Sequence, residues 1–136
     1  MFDVLSDPTQ HSLFDGSDSV RGKMSGPPRL YLGARFAMRM HWVAPYVIRN
    51  TVVEYDEDRR IAWRHFARHI WRYELTPLSD DRAQPRTQVT ETFVWGSSPI
   101  GFTYDRVGIV ERNDEAIRAT LQRLKVLVES RTVTAQ

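Results

Sequence analysis

Residues 62–75, AWRHFARHIWRYEL, decide between two folds. As a helix, this stretch sets His65 and His69 on one face, four residues apart, in the spacing of a zinc site. As a hairpin, it sets the same histidines across a turn from each other. The residue types favour the hairpin, because Trp63, Phe66, Ile70, Trp71 and Tyr73 suit a pleated surface. A zinc-protease helix also requires His-Glu-x-x-His, whereas Phe66, Ala67 and Arg68 stand between these histidines. The general base is missing and a cation sits beside the site, so no metal site is expected.

Two hairpin registers are open. A two-residue turn at Ala67 and Arg68 places Trp63 opposite Arg72. A three-residue turn pairs His65 with His69, Trp63 with Trp71, and Ile61 with Tyr73. The second register gathers Ile61, Trp63, His65, His69, Trp71, Tyr73 and Leu75 on one face and leaves Arg64 and Arg72 on the other. It is preferred for that reason, although its turn lacks the glycine that usually supplies the left-handed residue.

Outward from the hairpin the period of two continues. In residues 34–42, Phe36, Met38 and Met40 alternate with Arg35, Ala37 and Arg39. Residues 46–56 are rich in β-branched side chains and end in the acidic turn Asp56-Glu57-Asp58. A polar loop at 79–86 precedes a further strand at 87–95, TQVTETFVW. Before the strands, residues 1–8 read as a short helix halted by Pro8. Residues 10–22 read as a helical turn and loop punctuated by Gly16 and Gly22, and residues 24–33 as a turn-rich connection.

After GSSPIG at 96–101 the spacing becomes helical. Val107, Val110, Ile117, Leu121, Leu124 and Val128 form one apolar stripe, with Arg112, Glu115, Arg118, Gln122 and Arg123 on the other faces. This predicts one long helix over residues 105–130, roughly. Short helices, about six strands and a long C-terminal helix define an α+β fold, with the helix on one face of an antiparallel sheet.

The chain of 136 residues falls in the size range of one domain, 1–136, and can bury a real core. Its net charge of +2 is too small to announce nucleic-acid binding. All but Lys23 and Lys125 of the 19 basic residues are arginine, and they are spread along the chain rather than clustered. No nucleic-acid partner is expected. The absence of cysteine excludes disulfides, thiolate metal sites and cysteine nucleophiles. No apolar run approaches a membrane span and no secretory signal is visible, so a cytoplasmic location is expected.

Taken together, FDVLSDPTQH, VVEYDEDRRIAWR, WRYELTP, TQVTETF and LQRLKVLVE resemble the START-like (SRPBCC) helix-grip superfamily. The branch they resemble is that of polyketide cyclases and dehydrases and of lipid transport. Their order and spacing, over nearly the whole chain, carry the resemblance more than any single motif. It implies a curved antiparallel sheet gripping the C-terminal helix around a hydrophobic cavity. Members bind lipids, polyketides, hormones and other apolar molecules, and some catalyse cyclisation or dehydration. The family's usual first strand has no counterpart ahead of Phe2, which implies an N-terminally shortened domain or a start upstream of Met1.

The inward face of such a sheet offers a ligand site made of Phe36, Met38, Met40, Trp63, Trp71, Tyr73 and Phe93, with Ile117, Leu121 and Leu124 from the helix. Aromatic and methionine side chains suit a cavity for varied apolar guests, although a plain core would use the same residues. Glu91 shares the parity of Val89 and Phe93. It either points inward, where burial raises a carboxyl pKa, or pairs with a nearby arginine. Glu91, Tyr73 and His65 are the candidates for proton transfer. Ser97, Ser98, Asp105 and Glu111 show no arrangement for nucleophilic catalysis, and neither GARFAM nor GSSPIG has the spacing of a phosphate-binding loop.

The reading that follows is a carrier or binder of a hydrophobic small molecule, without cofactor. A cyclase- or dehydratase-type enzyme is the second reading. A ligand-free interaction module is the third: a homodimer, or a protein pair of toxin–antitoxin type.

Overall fold

The computed structural model describes residues 1–65, 68–79, 85–95 and 109–134. Two short helices come first, α1 (Phe2–Ser6) and α2 (His11–Phe14). Six strands follow: β1 (Val20–Ser25), β2 (Arg35–His41), β3 (Pro45–Asp56), β4 (Arg60–His65), β5 (Ile70–Pro77) and β6 (Thr87–Val94). Helix α3 (Ile109–Thr134) closes the chain. The strands form one antiparallel meander in the order β1-β2-β3-β4-β5-β6, with β1 and β6 at its edges. This is the α+β architecture expected, a curved sheet with a long C-terminal helix and short N-terminal helices.

The chain turns where its sequence demands it. Asp7 precedes Pro8 and is extended, as a residue before proline tends to be, which ends α1. Its carboxylate then accepts from the Thr9 amide at 2.9 Å and the Thr9 hydroxyl at 2.6 Å. On the other side of α2 the Asp15 carboxylate accepts the amides of Ser17, Ser19 and Val20 and so steers the chain into β1.

Strand β1 departs from the expectation of loop and connection over residues 20–25. It pairs with β2, yet its register shifts between Val20 and Gly22 and again between Lys23 and Ser25. Those irregularities and the glycine remove the alternation by which the other strands are legible. A third irregularity lies in β3, between Val52 and Glu54. The extra residue puts Val52 and Tyr55 on the inner side, where Tyr55 meets Phe2 edge-on at 5.5 Å. It also turns Glu54 outward, to a two-pronged pairing with Arg72 and a longer contact with Arg60 at 3.5 Å.

The β4–β5 hairpin adopts the three-residue register: Ile61 lies opposite Tyr73 and Trp63 opposite Trp71. Arg68 takes the left-handed conformation, φ 65°, in place of a glycine, and its amide donates to the His65 carbonyl at 2.9 Å. Phe66 and Ala67 lie outside the described residues, as do Val107, Ser97, Ser98 and Asp105.

One apolar cluster joins the two layers. Phe2, Val4, Leu5, Phe14, Leu30, Phe36, Val52, Ile61 and Leu124 are buried in it, and Leu127 and Val128 pack against it. The face that α3 turns inward therefore runs through Ala116, Thr120 and Leu124, all buried. Leu121, placed on the inward stripe by its spacing, is only half-buried. Three polar ties fix α3 to the α2–β1 loop: the Gly16 amide donates to Thr120 Oγ1 at 2.9 Å, Arg123 pairs with Asp18 at 2.7 Å, and Arg123 also donates to the Asp15 carbonyl. Among the described residues no helix is long and apolar enough to cross a membrane.

Candidate functional site

Between the inner face of the sheet and α3 lies a cavity of about 300 Å³. Its apolar wall comes from alternate positions of the strands, because only every second side chain faces inward. Strand β2 supplies Phe36, Met38 and Met40, β4 supplies Trp63, β5 supplies Trp71 and Tyr73, and β6 supplies Phe93. These are the sheet residues predicted for the pocket, and Ile117 joins them from α3. Leu121 and Leu124 do not line the cavity. Leu124 is instead sealed in the core at 1% exposure, one turn beyond the end of the pocket.

The sequence pattern missed several lining residues. Ile48 and Asn50 come from β3, Asp15, Ser17 and Ser19 from the α2–β1 loop, and Arg112, Asn113, Ala116 and Thr120 from α3. Most are polar or small, and an apolar stripe cannot point to them. His11 also lies in the wall, from α2. Its Nε2 is 2.9 Å from the Leu5 carbonyl, and its ring stacks on Trp63 at 4.9 Å. Burial pulls its pKa down to about 4, so the ring is neutral at physiological pH and donates Nε2–H to that carbonyl. His11 thus ties α2 to α1 and stiffens the tryptophan that forms the cavity wall.

The three candidates for proton transfer all face the cavity. Tyr73 and Glu91 are cross-strand partners, and the Tyr73 hydroxyl donates to Glu91 Oε1 at 2.8 Å. No arginine pairs with Glu91 among the described residues, so the inward alternative holds. Its other oxygen, Oε2, is buried and has no hydrogen-bond partner there. Burial pushes the Glu91 carboxyl up to about 8, against the lowering effect of the Tyr73 hydroxyl and with a smaller push from Asp15. Burial and the neighbouring carboxyl likewise hold Tyr73 well above the ordinary phenol range.

His65 and His69 meet edge-to-face at the end of the hairpin, ring centroids 4.5 Å apart. Burial and the proximity of His69 lower the His65 pKa to about 4, and burial lowers that of His69. Both are neutral at pH 7. Among the described residues no three metal-ligating side chains come together. At the solvent-exposed rim, the Arg112 guanidinium lies over the Trp42 ring, 3.9 Å from its centroid.

No family model matches the chain. Two curated proteins of Mycobacterium tuberculosis do, the uncharacterized protein Rv0088 of strain H37Rv and the uncharacterized protein MT0096 of strain CDC 1551. Each is 33% identical over 129 residues, covering 91% of this chain and 56% of the relative. The chain therefore spans about half the length of the curated relatives it matches. Among solved structures, an AHSA1-like protein from Aeromonas hydrophila aligns with a TM-score of 0.49 at 14% identity, over 89% of this chain and 82% of that one.

Proposed function

We propose that this chain binds a hydrophobic small molecule between its sheet and α3, as a carrier or receptor of the START-like helix-grip kind. The observation that carries the reading is the cavity itself. It lies beside a cluster of buried apolar residues, and its apolar walls are tryptophan, phenylalanine and methionine side chains. Native interiors leave few voids larger than a water, so a chamber of about 300 Å³ costs stability unless something occupies it. Burying an apolar guest there gains roughly 25 cal/mol per Å² of apolar surface, enough for binding without a catalytic group.

The test is a titration with N-phenyl-1-naphthylamine, whose fluorescence rises on entering an apolar site, beside native mass spectrometry of protein purified without additives. Saturable binding that an Ala116→Trp plug abolishes is the expected result. Failure of the probe to bind, together with no retained small molecule, would overturn the reading.

One observation favours an acid–base enzyme as the second reading. Glu91 holds a carboxyl with a pKa near the working range of a general acid, beside Tyr73 in the same cavity. A cyclase- or dehydratase-type reaction would require Glu91 for turnover, so unaltered turnover in Glu91→Gln excludes it.

A further inference from the structure

The polar groups of the cavity come from α2, the α2–β1 loop, β3, the β4–β5 hairpin, β6 and α3. The Asp15 carboxylate is spent on the backbone amides of its own loop, and Arg112 sits at the rim over Trp42. Among the described residues, Glu91 Oε2 is the fully buried side-chain atom that has no hydrogen-bond partner. The geometry fixes what that atom can do. The Tyr73 hydroxyl donates to Oε1, so Oε1 is the accepting, carbonyl-like oxygen and any carboxyl proton belongs on Oε2. An ionised Glu91 would leave a bare anionic oxygen buried without a donor, whereas a protonated one carries an O–H within the cavity wall, which a guest meets once the carboxyl turns toward it.

We infer that the Tyr73–Glu91 pair is a hydrogen-bond donor site, and that the ligand of this cavity is an uncharged apolar molecule carrying a carbonyl or similar acceptor oxygen at its buried end. This rests on the cavity being a binding site and names the class of molecule it selects. A hydrocarbon of the same shape leaves the O–H orphaned, so the pair discriminates against it. A fatty-acid carboxylate is not matched at this end either. The two histidines at the hairpin end of the cavity are neutral, and Arg112, the cation among the described lining residues, lies over Trp42. A cationic amine would need Glu91 ionised and is the opposite case.

Three probes of matched shape separate these outcomes by calorimetric titration at about pH 6.5: 1-acetonaphthalene, 1-isopropenylnaphthalene and 1-(1-naphthyl)ethylamine. The ketone is expected to bind about tenfold more tightly than the isopropenyl compound, a difference of about 1.4 kcal/mol. Glu91→Gln, whose amide still donates, keeps that preference, and Glu91→Leu removes it. Equal affinity for ketone and hydrocarbon overturns this inference and leaves the binding function standing, as does tightest binding of the amine. If none of the three binds, the cavity reading fails and the inference fails with it.

Should Glu91→Leu not fold, pH supplies the same test in the unmodified protein. The titratable or charged groups lining the cavity with Glu91, among the described residues, are Tyr46, Tyr73, His11, His65, His69, Asp15 and Arg112. The histidines are shifted down and the two tyrosines up, so none of these five changes charge near pH 8. The ketone's advantage is expected to vanish as pH rises through about 8, with hydrocarbon binding unchanged. An advantage that survives at about pH 9.5, well above that ionisation, overturns the assignment.

Discussion

Gly16 and Thr120, 104 residues apart in sequence, are in backbone contact: the Gly16 amide donates to Thr120 Oγ1 at 2.9 Å. A Cβ on Gly16 would stand 2.2 Å from the Ala116 carbonyl oxygen and 2.4 Å from the Thr120 nitrogen. Both obstacles are helix backbone and cannot swing aside, so α3 itself would have to retreat.

Gly16→Ala is therefore expected to destabilise the fold by about 2–3 kcal/mol, as overpacking at a rigid contact does. Because α3 forms one wall of the cavity, the same variant should also weaken probe binding. Thr120→Val keeps the volume and removes only the acceptor, and should cost about 1 kcal/mol. Urea denaturation of both variants checks the order. A neutral Gly16→Ala would mean that α3 does not dock on this loop.

The hairpin gives a prediction of opposite sign. Arg68 holds φ at 65°, a conformation that costs an L-residue roughly 1–2 kcal/mol. Arg68→Gly relieves that cost and gives back part of it in backbone entropy. A net stabilisation of about 0.5–1 kcal/mol is expected, read as a higher urea midpoint with an unchanged slope. A lower midpoint would show that the arginine side chain contributes more than its backbone costs.

These two positions show what local sequence can and cannot carry. The register of the β4–β5 hairpin was legible because one pairing alone puts Trp63, Trp71 and Tyr73 on the same face. Parity with Val89 and Phe93 left Glu91 two alternatives, an inward carboxyl or a salt bridge to arginine, and only the folded sheet, where Tyr73 meets it, decides between them. Strand β1 was not legible, since Gly22 and two register shifts erase its alternation. On α3 the apolar stripe found the core residue Leu124 but not the cavity residues Arg112, Asn113 and Thr120, because hydrophobic spacing reports what is packed and not what borders a void. The roles of His11 and Gly16 arise from contacts that close only in the folded chain.

Stability should peak near neutral pH, from two opposed sets of groups. Burial lowers the pKa of His11 and His65 to about 4 and also lowers that of His69. Their contribution is present above the unfolded value of 6.5 and is lost as pH falls toward the folded values. Glu91 runs the other way. Its folded value of about 8 lies above the unfolded 4.5, so its contribution is complete below 4.5 and is lost as pH rises through about 8. With each full proton worth roughly 1.4 kcal/mol per pH unit, His11 and His65 alone outweigh one carboxyl up to about pH 6.5, and the carboxyl governs above it. Urea midpoints from pH 4 to 9 are expected to rise, peak near pH 6.5 and fall. Glu91→Gln should flatten the alkaline limb and steepen the acid limb above about pH 4.5, where the carboxyl opposes the histidines. An alkaline limb that persists in Glu91→Gln would assign it to another group.

The Tyr73 hydroxyl and the burial of Glu91 act on the carboxyl in opposite directions, and removing the first exposes the second. A hydroxyl that donates to a carboxylate stabilises the charged form and lowers the pKa, whereas desolvation raises it. In the intact protein the balance lies at about 8. Tyr73→Phe leaves the apolar ring between Trp63 and Phe14 and removes only the donor. The Glu91 carboxyl should then titrate higher still, which carbon NMR of labelled glutamate side chains reads directly. Two carboxyl oxygens would now lack a partner, so the variant should also lose about 1–2 kcal/mol of stability. The ketone's advantage over the matched hydrocarbon should shrink as well, because a carboxyl no longer held by Tyr73 can turn its proton away from the cavity. A Glu91 titration that moves down in Tyr73→Phe would show that the hydroxyl donates elsewhere.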